Sequence, residues 1–451
     1  MQFIPDLFVL LQPFAAQMSE PVFSNLLTIL TGWILSRRHT ISAGLAADFP
    51  LARHFCSYYR VFSQAVWNAD AVGLGLAQLI LGLSVVVPGL RVRLIIDDTL
   101  CKKKGRLPFG VGMHYDASAT GRGLSNSHGS YKANGHCWVI LGIGVELKFR
   151  PGHTYCLPIL ARLYHNHKSA TRHKVTYQTK VQLAVEMITR VTDAFTDRQF
   201  DLLVDSAYAG KNMLAVLPVN CHLTARWLLN AALYEPVGKA PANHKGRPRV
   251  HGKRLPGVQQ MIQQPGQRIK LDVYGKHQTL EVWQTFACFY ATPKVLLNVI
   301  ITPTLDAGGK PDPHSLAVFF STNTTLTPQQ IVELYGNRWA IEVTVHDVKQ
   351  QLGIAQPQVW CRKSVERAVP TMLMMYTAIV SWFALEGHGN WRPTILPWYR
   401  CKQQPSFSDM LGHLRIQLLN QQIGGIFKDH RNKVVPQKSL AKLAQLIKQA
   451  A

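Results

Sequence analysis

The chain reads as an α/β protein: a mixed sheet flanked by helices, interrupted by a strand-rich insertion, with helical regions at both ends. Three observations predict this class. Two apolar runs end in acids, Val92-Arg93-Leu94-Ile95-Ile96-Asp97-Asp98-Thr99 and Phe200-Asp201-Leu202-Leu203-Val204-Asp205, and such runs suit buried strands. Three strand-like segments, a helix, then a strand, a helix and a strand follow one another between about 92 and 227, the order of a mixed sheet with helices on its faces. Finally, a helix-period stretch from Thr327 to Lys349 carries its polar groups at helical offsets.

Each element follows from the residues. Residues 1–88 read as helical, with Phe23, Leu26, Leu27, Leu30 and Ile34 at helical spacing and a second stretch bearing His54, Tyr58, Tyr59, Arg60 and Trp67. These helices suit either a DNA-binding head or a bundle supporting the next domain, and no recognition-helix pattern is legible. Pro88-Gly89 marks a boundary. From 89 to 230 come the first acid-ended strand, a strand over Cys137–Leu147, and a third over Tyr155–Tyr164 with Pro158 at an edge or bulge. A helix over about Arg172–Phe195, the strand ending at Asp205, a helix over 209–217 and a strand over 220–227 complete this part. Residues 231–310 read as a β-rich insertion, with a basic loop at 238–257 and strands over Leu280–Ala291 and Val295–Thr302. In 311–390, Thr327-Pro328 caps the polar helix and an apolar helix runs from about Ser364 to Leu385. A basic, partly helical tail occupies 391–451.

Composition narrows the function. Lys plus Arg number 49 against 25 Asp plus Glu, a formal charge of +24 with a pI near 9.9. A polyanion is the natural partner, since each cation placed on a phosphate releases condensed counterions. The 451 residues and 47% hydrophobic content allow a sizeable core of two to four structural units, unlike a small ribosomal protein. The eight cysteines form no C-x-x-C pair, which argues against zinc ribbons and for reduced thiols in the cytoplasm. The N-terminal residues lack the pattern of a signal peptide. The apolar runs Val72–Leu90 and Met372–Leu385 read as buried helices rather than membrane spans.

The chemistry resides in scarce acids. Asp97 ends the first strand, Asp205 the fourth, and Glu342 lies on the polar helix. Acids at neighbouring strand ends can converge on one sheet edge, and a later helix can bring its Glu to the same place. Crowded carboxylates require cations, which implies Mg²⁺, or Mn²⁺ in its stead. Two such ions support in-line displacement at phosphorus. Around Glu342, Tyr335, Arg338 and Lys349 stand at offsets of three, four and seven along one helix face, two cations and a phenol suited to phosphate oxygens. A solvated face with an ordinary ion pair has the same pattern. Adjacent strand residues point to opposite faces, so only one of Asp97 and Asp98 can meet the metal directly.

In these residues the chain resembles DDE transposases of bacterial insertion sequences, from the cut-and-paste branch with a Tyr-Arg-Glu-Lys signature. Tyr335, Arg338, Glu342 and Lys349 match that signature, Asp97-Asp98-Thr99 the first-strand pattern Asp-x-Thr, and Asp205-Ser206-Ala207-Tyr208 the pattern Asp-x-x-Tyr. The resemblance implies an RNase H-like catalytic core and a homodimer that pairs two ends of a double-stranded element. It also implies Asp97, Asp205 and Glu342 as metal ligands, with Asp97 favoured over Asp98, and Tyr335, Arg338 and Lys349 as contacts to DNA. Lys102, Lys103 and Lys104, just after the first acid, are well placed for phosphate, although a solvated turn reads the same way. Arg247 and Arg249 of the basic loop are further candidate DNA contacts. Tyr208 supports the second acid, touches DNA or packs in the core. His346 is a helix-surface histidine facing the site, and Trp283 and Phe289 are insertion aromatics without a motif. Two rival readings share much of this pattern: a metal-dependent nuclease without strand transfer, and a non-catalytic DNA-binding descendant of a transposase. The expected location is the bacterial cytoplasm, associated with the nucleoid.

Overall fold

The computed structural model describes residues 4–47, 51–116, 131–238, 247, 249–273, 276–305, 311–393 and 401–429. Eleven strands form its sheet among the described residues: β1 (Val92–Lys102), β2 (Gly112–Tyr115), β3 (Lys132–Glu146), β4 (Thr154–Tyr164), β5 (Phe200–Val204), β6 (Cys221–Trp227), β7 (Leu233–Tyr234), β8 (Gln267–Val273), β9 (Lys276–Phe289), β10 (Thr292–Leu305) and β11 (Pro311–Ser321). The strand order is β2-β3-β1-β5-β6-β11-β10-β9-β7, with β4 also on β3 and β8 on β9.

At the heart of the sheet, β3 and β4 pair antiparallel, β3 and β1 antiparallel, and β1, β5 and β6 parallel. This is an RNase H-like arrangement. Strands β1 and β5 are buried on both faces because helices cover both, which is why their sequences run apolar without alternation. Pro158 lies in β4 where the register with β3 shifts between Leu141 and Gly142, so the bulge accommodates its missing N–H. Strand β2 is too short and mixed to be read from the sequence.

The helix expected over Arg172–Phe195 is in fact two. His167–His173 stops at Lys174, which adopts a left-handed conformation (φ 52°). The second runs Lys180–Ala194, opened by a capping box between Thr179 and Gln182. The expected insertion also differs from the structure. It does not end at 310: β11 returns from β10 and pairs antiparallel with β6, Val318 opposite Trp227. The insertion therefore lengthens the sheet rather than standing beside it. A small core of Ile269, Leu271, Leu280, Val282 and Ile300 supports Ile331 and Val332 of the helix Pro328–Gly336.

The helix Arg362–Trp382 passes through the centre of the molecule. By length and composition it could cross a membrane, but 94% of its apolar window is buried inside the protein, so the fold itself supplies its apolar surroundings. Thr377 Oγ1 donates to Pro158 O of β4 at 2.7 Å. Helices of the first 82 residues pack on its other side. Arg367 donates to the carbonyls of Phe62, Ala65 and Trp67 and lies over the Trp67 ring. Gly73 comes so close to Ile159 O that a Cβ would sit 2.1 Å from it, so a backbone-on-backbone contact fixes the helix Ala69–Gly82 to β4. From the C-terminal side, Arg415 of the helix Phe407–Asp429 donates to Ile34 O at 2.5 Å. One hydrophobic core runs unbroken from Phe14 and Trp33 through Ile140 to Leu414. The N-terminal helices thus support the sheet. Residues 394–400 and 430–451 of the expected C-terminal tail lie outside the described residues.

Candidate active site

Parallel register aligns the first two acids. Strands β1 and β5 pair from Val92/Phe200 to Ile95/Leu203. Asp97 and Asp205 each follow two residues after that last pair, the same step along neighbouring strands, and side chains at equal steps along parallel strands share a sheet face. Asp205 lies just beyond the end of β5, where the chain turns: Tyr208 N donates to Asp205 O at 3.0 Å.

Glu342 arrives from a helix that is not continuous with Tyr335. One helix spans Pro328–Gly336 and a second Trp339–Gln350. Asn337 and Arg338 between them keep right-handed helical angles, so the offsets read from the sequence survive the break. Arg338 sits at the joint. Its Nη2 donates to Glu342 Oε1 at 2.5 Å and its Nη1 to Asp97 Oδ2 at 3.3 Å. One guanidinium thereby joins the middle of the first strand, which runs on past the expected end at Asp97 to Lys102, to the first turn of the glutamate helix. It also lies 5.6 Å from the Tyr335 ring centroid, and Tyr335 in turn packs on Phe319 of β11.

The electrostatics reflect this crowding. Burial raises the Asp97 carboxyl to about 6; the Asp98 backbone N–H and Arg338 oppose the rise, and the Asp98 and Glu342 carboxylates add to it. Burial works against the Arg338 cation, but Tyr335, Glu342 and Asp97 outweigh it and hold its pKa above the ordinary arginine value. Burial also raises Tyr335, with Arg338 pulling back, Asp205 adding to the rise and Arg226 opposing it. Asp205 is therefore close enough to Tyr335 for its charge to act there. Arg226, exposed on β6, is a basic residue that sequence reasoning missed: it belongs to an ordinary-looking strand, and only the pairing of β6 with β11 brings it near Tyr335.

Asp98 faces the other way. Its Oδ2 accepts from Lys180 Nζ at 2.6 Å and its Oδ1 from the Tyr208 hydroxyl at 3.0 Å, with Cys137 Sγ at 3.5 Å. Its backbone N–H donates to Asp97 Oδ1 at 2.8 Å. The side chain on the Arg338 side is thus that of Asp97. Tyr208 is buried and spends its hydroxyl on Asp98.

The basic candidates divide. Lys102 is exposed and pairs with Asp116 at 2.5 Å; Lys104 is exposed. Lys103 is a correction: its ammonium is half-buried and donates to Ala355 O and Pro357 O at 2.6 and 2.8 Å. Two of its three donors thus go to backbone carbonyls, which ties Lys103 to the fold more closely than its neighbours. Lys349 is exposed, and its charge acts on Cys101 at the end of β1, where burial raises the thiol to about 11. Arg247 and Arg249 are exposed in the loop after β7. His346 is exposed beside Asp347. Trp283 donates its indole N–H to Gln264 O at 2.7 Å, and Phe289 packs on Trp227.

Among the described residues no three His, Cys, Asp or Glu side chains stand close enough to grip an ion together. The carboxylate donor set nevertheless suits a hard divalent cation. The Arg338 guanidinium occupies the ground between two of the three acids and supplies positive charge there. Its Nε is buried without a hydrogen-bond partner, while both terminal nitrogens donate to the acids.

An RNase H-like sheet with acids on two adjacent parallel strands, Asp97 midway along β1 and Asp205 just past β5, suits a nucleic-acid-cutting enzyme. The family model for the DDE superfamily endonucleases matches residues 13–287, more than half of the chain, and the chain belongs to that family. No curated protein matches it in sequence. The protein is thus an endonuclease of the transposase and nuclease superfamily, with DNA as its substrate, in a family that generally uses divalent metal ions. The match ends within β9, before Tyr335, Arg338 and Glu342.

Proposed function

We propose that the protein is a cut-and-paste transposase. It binds the terminal inverted repeats of its element as a homodimer, cleaves the ends and joins them to target DNA. The observation that carries this reading is the Asp97–Arg338–Glu342 relay, which links the first strand to a glutamate helix 241 positions further along at its arginine. A structural ion pair on one helix needs no acid from a distant strand.

In this reading Asp97, Asp205 and Glu342 hold Mg²⁺, or Mn²⁺ in its place. Bound there, the ions would activate a water or a 3′ hydroxyl and stabilise the leaving oxygen. The chain's own residues do the rest. Arg338 keeps two like-charged carboxylates together and has the reach to hold a phosphate oxygen once they are otherwise neutralised. Tyr335 lies beside it, and Lys349 further along the helix, with Lys102, Lys104, Arg247 and Arg249, would extend the basic footprint along the duplex. The matches to the Tyr-Arg-Glu-Lys signature favour strand transfer over hydrolysis alone.

The test uses a pre-cut transposon end and a supercoiled target plasmid. Covalently joined product is expected. Nicked plasmid without joined product would instead make the protein a nuclease. Absence of any metal-dependent cutting would leave a DNA-binding protein.

A further inference from the structure

Asp98 stands beside a proposed metal ligand yet turns its carboxylate to the opposite face of β1. There it gathers three separate elements. Lys180, the first residue of the helix Lys180–Ala194, donates to Oδ2 at 2.6 Å. Tyr208, from the turn that carries Asp205, donates to Oδ1 at 3.0 Å. Cys137 of β3 lies at 3.5 Å. On the near side, the Asp98 backbone N–H holds Asp97 Oδ1 at 2.8 Å.

From this geometry we infer that Asp98 and Tyr208 are positioning residues that fix Asp97 and Asp205 relative to each other. The pairing of β1 with β5 stops at Ile95/Leu203, two residues short of both acids. Past that point no ladder bond between these strands holds them in register. The Tyr208 hydroxyl crosses this gap. Its ring is buried, with 1% of its surface exposed, and its backbone N–H donates to Asp205 O, so tying Tyr208 to Asp98 ties the Asp205 turn to the strand of Asp97. Lys180 pairs with the Asp98 carboxylate and so offsets part of the negative charge that the brace adds behind the acids. Groups behind metal ligands orient them in this way, and their loss typically costs about 10- to 100-fold in metal affinity or activity.

The inference rests on Asp97 and Asp205 being the catalytic acids, so its test carries a control for that reading. Full-length wild type, Tyr208→Phe, Asp98→Ala, Asp98→Asn and Asp97→Ala are titrated with Mn²⁺ alone by calorimetry. Amide exchange of the 205–209 turn is followed without metal, and cleavage kinetics are measured on end-bearing DNA. Tyr208→Phe keeps the packed ring and removes one hydroxyl. It should weaken Mn²⁺ binding about 10- to 100-fold, lower kcat in parallel, leave KM for DNA unchanged and speed exchange at Tyr208 and Ala209. Asp98→Ala should do the same, and Asp98→Asn, whose Oδ1 can still accept from Tyr208, should recover part of the loss.

Unchanged Mn²⁺ affinity and kcat in Tyr208→Phe, with Asp97→Ala inactive, would overturn the brace and leave the site standing. So would an Asp98→Ala variant as impaired as Asp97→Ala alongside a silent Tyr208→Phe, which would make Asp98 itself a ligand. An Asp97→Ala variant that binds and cleaves normally would remove the site, and the brace with it.

Discussion

Replacing Arg338 by alanine removes the guanidinium that joins Asp97 to Glu342. The Arg338 side chain is 11% exposed, and its partners 25% and 34%, so the relay lies between a surface pair, worth at most about 1 kcal/mol, and a buried one whose breakage costs about 3–5 kcal/mol. A loss of about 1–3 kcal/mol follows. With an unfolding entropy of about 2.1 cal/mol/K per residue, a chain of 451 residues loses roughly 1 °C of Tm per kcal/mol, hence a fall of about 1–3 °C. Cleavage should fall much further, by about 10²–10³, the usual cost of removing one donor to developing charge. Calorimetric melting with and without Mg²⁺ separates the two roles. The alanine variant should gain more Tm from Mg²⁺ than wild type, because the ion then supplies the neutralisation that Arg338 gave. A Tm deficit identical with and without Mg²⁺, paired with a proportionate loss of activity, would make Arg338 an ordinary structural cation and refute the reasoning.

Four further outcomes are expected. Lys103→Met should lower stability, since two backbone carbonyls lose their donor, while leaving the salt dependence of DNA binding unchanged. Arg247→Ala with Arg249→Ala should flatten that dependence by about 0.9 for each phosphate no longer neutralised; titrations from 50 to 200 mM salt decide both, and an equal slope in all variants would count against the assignments. Burial holds His39, His114 and His136 near 4, far below an unfolded histidine. Between pH 6.5 and 4 the unfolded chain therefore binds more protons than the folded one, and stability falls as pH falls: about 2 kcal/mol per histidine at pH 5. The raised Asp97 works the other way from about 6 downward and offsets part of this. Denaturant midpoints that stay level from pH 7 to 5 would contradict it. Gly73→Ala should destabilise the protein sharply, because its Cβ would meet Ile159 O at 2.1 Å; a thermal melt equal to wild type would show that the helix can back away from β4.

The acid-bearing strands and the glutamate helix were legible because each is a local pattern, an apolar run followed by a charge or polar residues at helical offsets, but β1 does not stop at its acid and runs on to Lys102 beside β3. The Arg338–Glu342 pair was readable for the same reason, being an i,i+4 contact. What failed to show was anything set by long-range pairing. Nothing in Pro311–Ser321 announces that it returns to β6 and makes the insertion part of one sheet. Lys102, Lys103 and Lys104 look alike in sequence, yet the loop at 355–357, folding over β1, claims only the middle one of these. Alternation along a strand restricts Asp97 and Asp98 to opposite faces, but which face meets Arg338 depends on a helix 241 positions beyond Asp97. In sequence Tyr208 is compatible with three roles; in the fold its hydroxyl donates to Asp98. The N-terminal helices, compatible with a head or a bundle, join the main core, where Arg367 and Arg415 donate to their carbonyls.

The central claim is that Asp97, Asp205 and Glu342 act as one site on DNA. Its most direct measurement is the rate of Mg²⁺-dependent cleavage of end-bearing DNA by the three single alanine variants, each first confirmed as folded and DNA-bound. Loss of cutting to background in all three is the predicted result. Undiminished cutting by Asp205→Ala, the acid linked to the others through strand register and Tyr335 rather than by a direct contact, would contradict it.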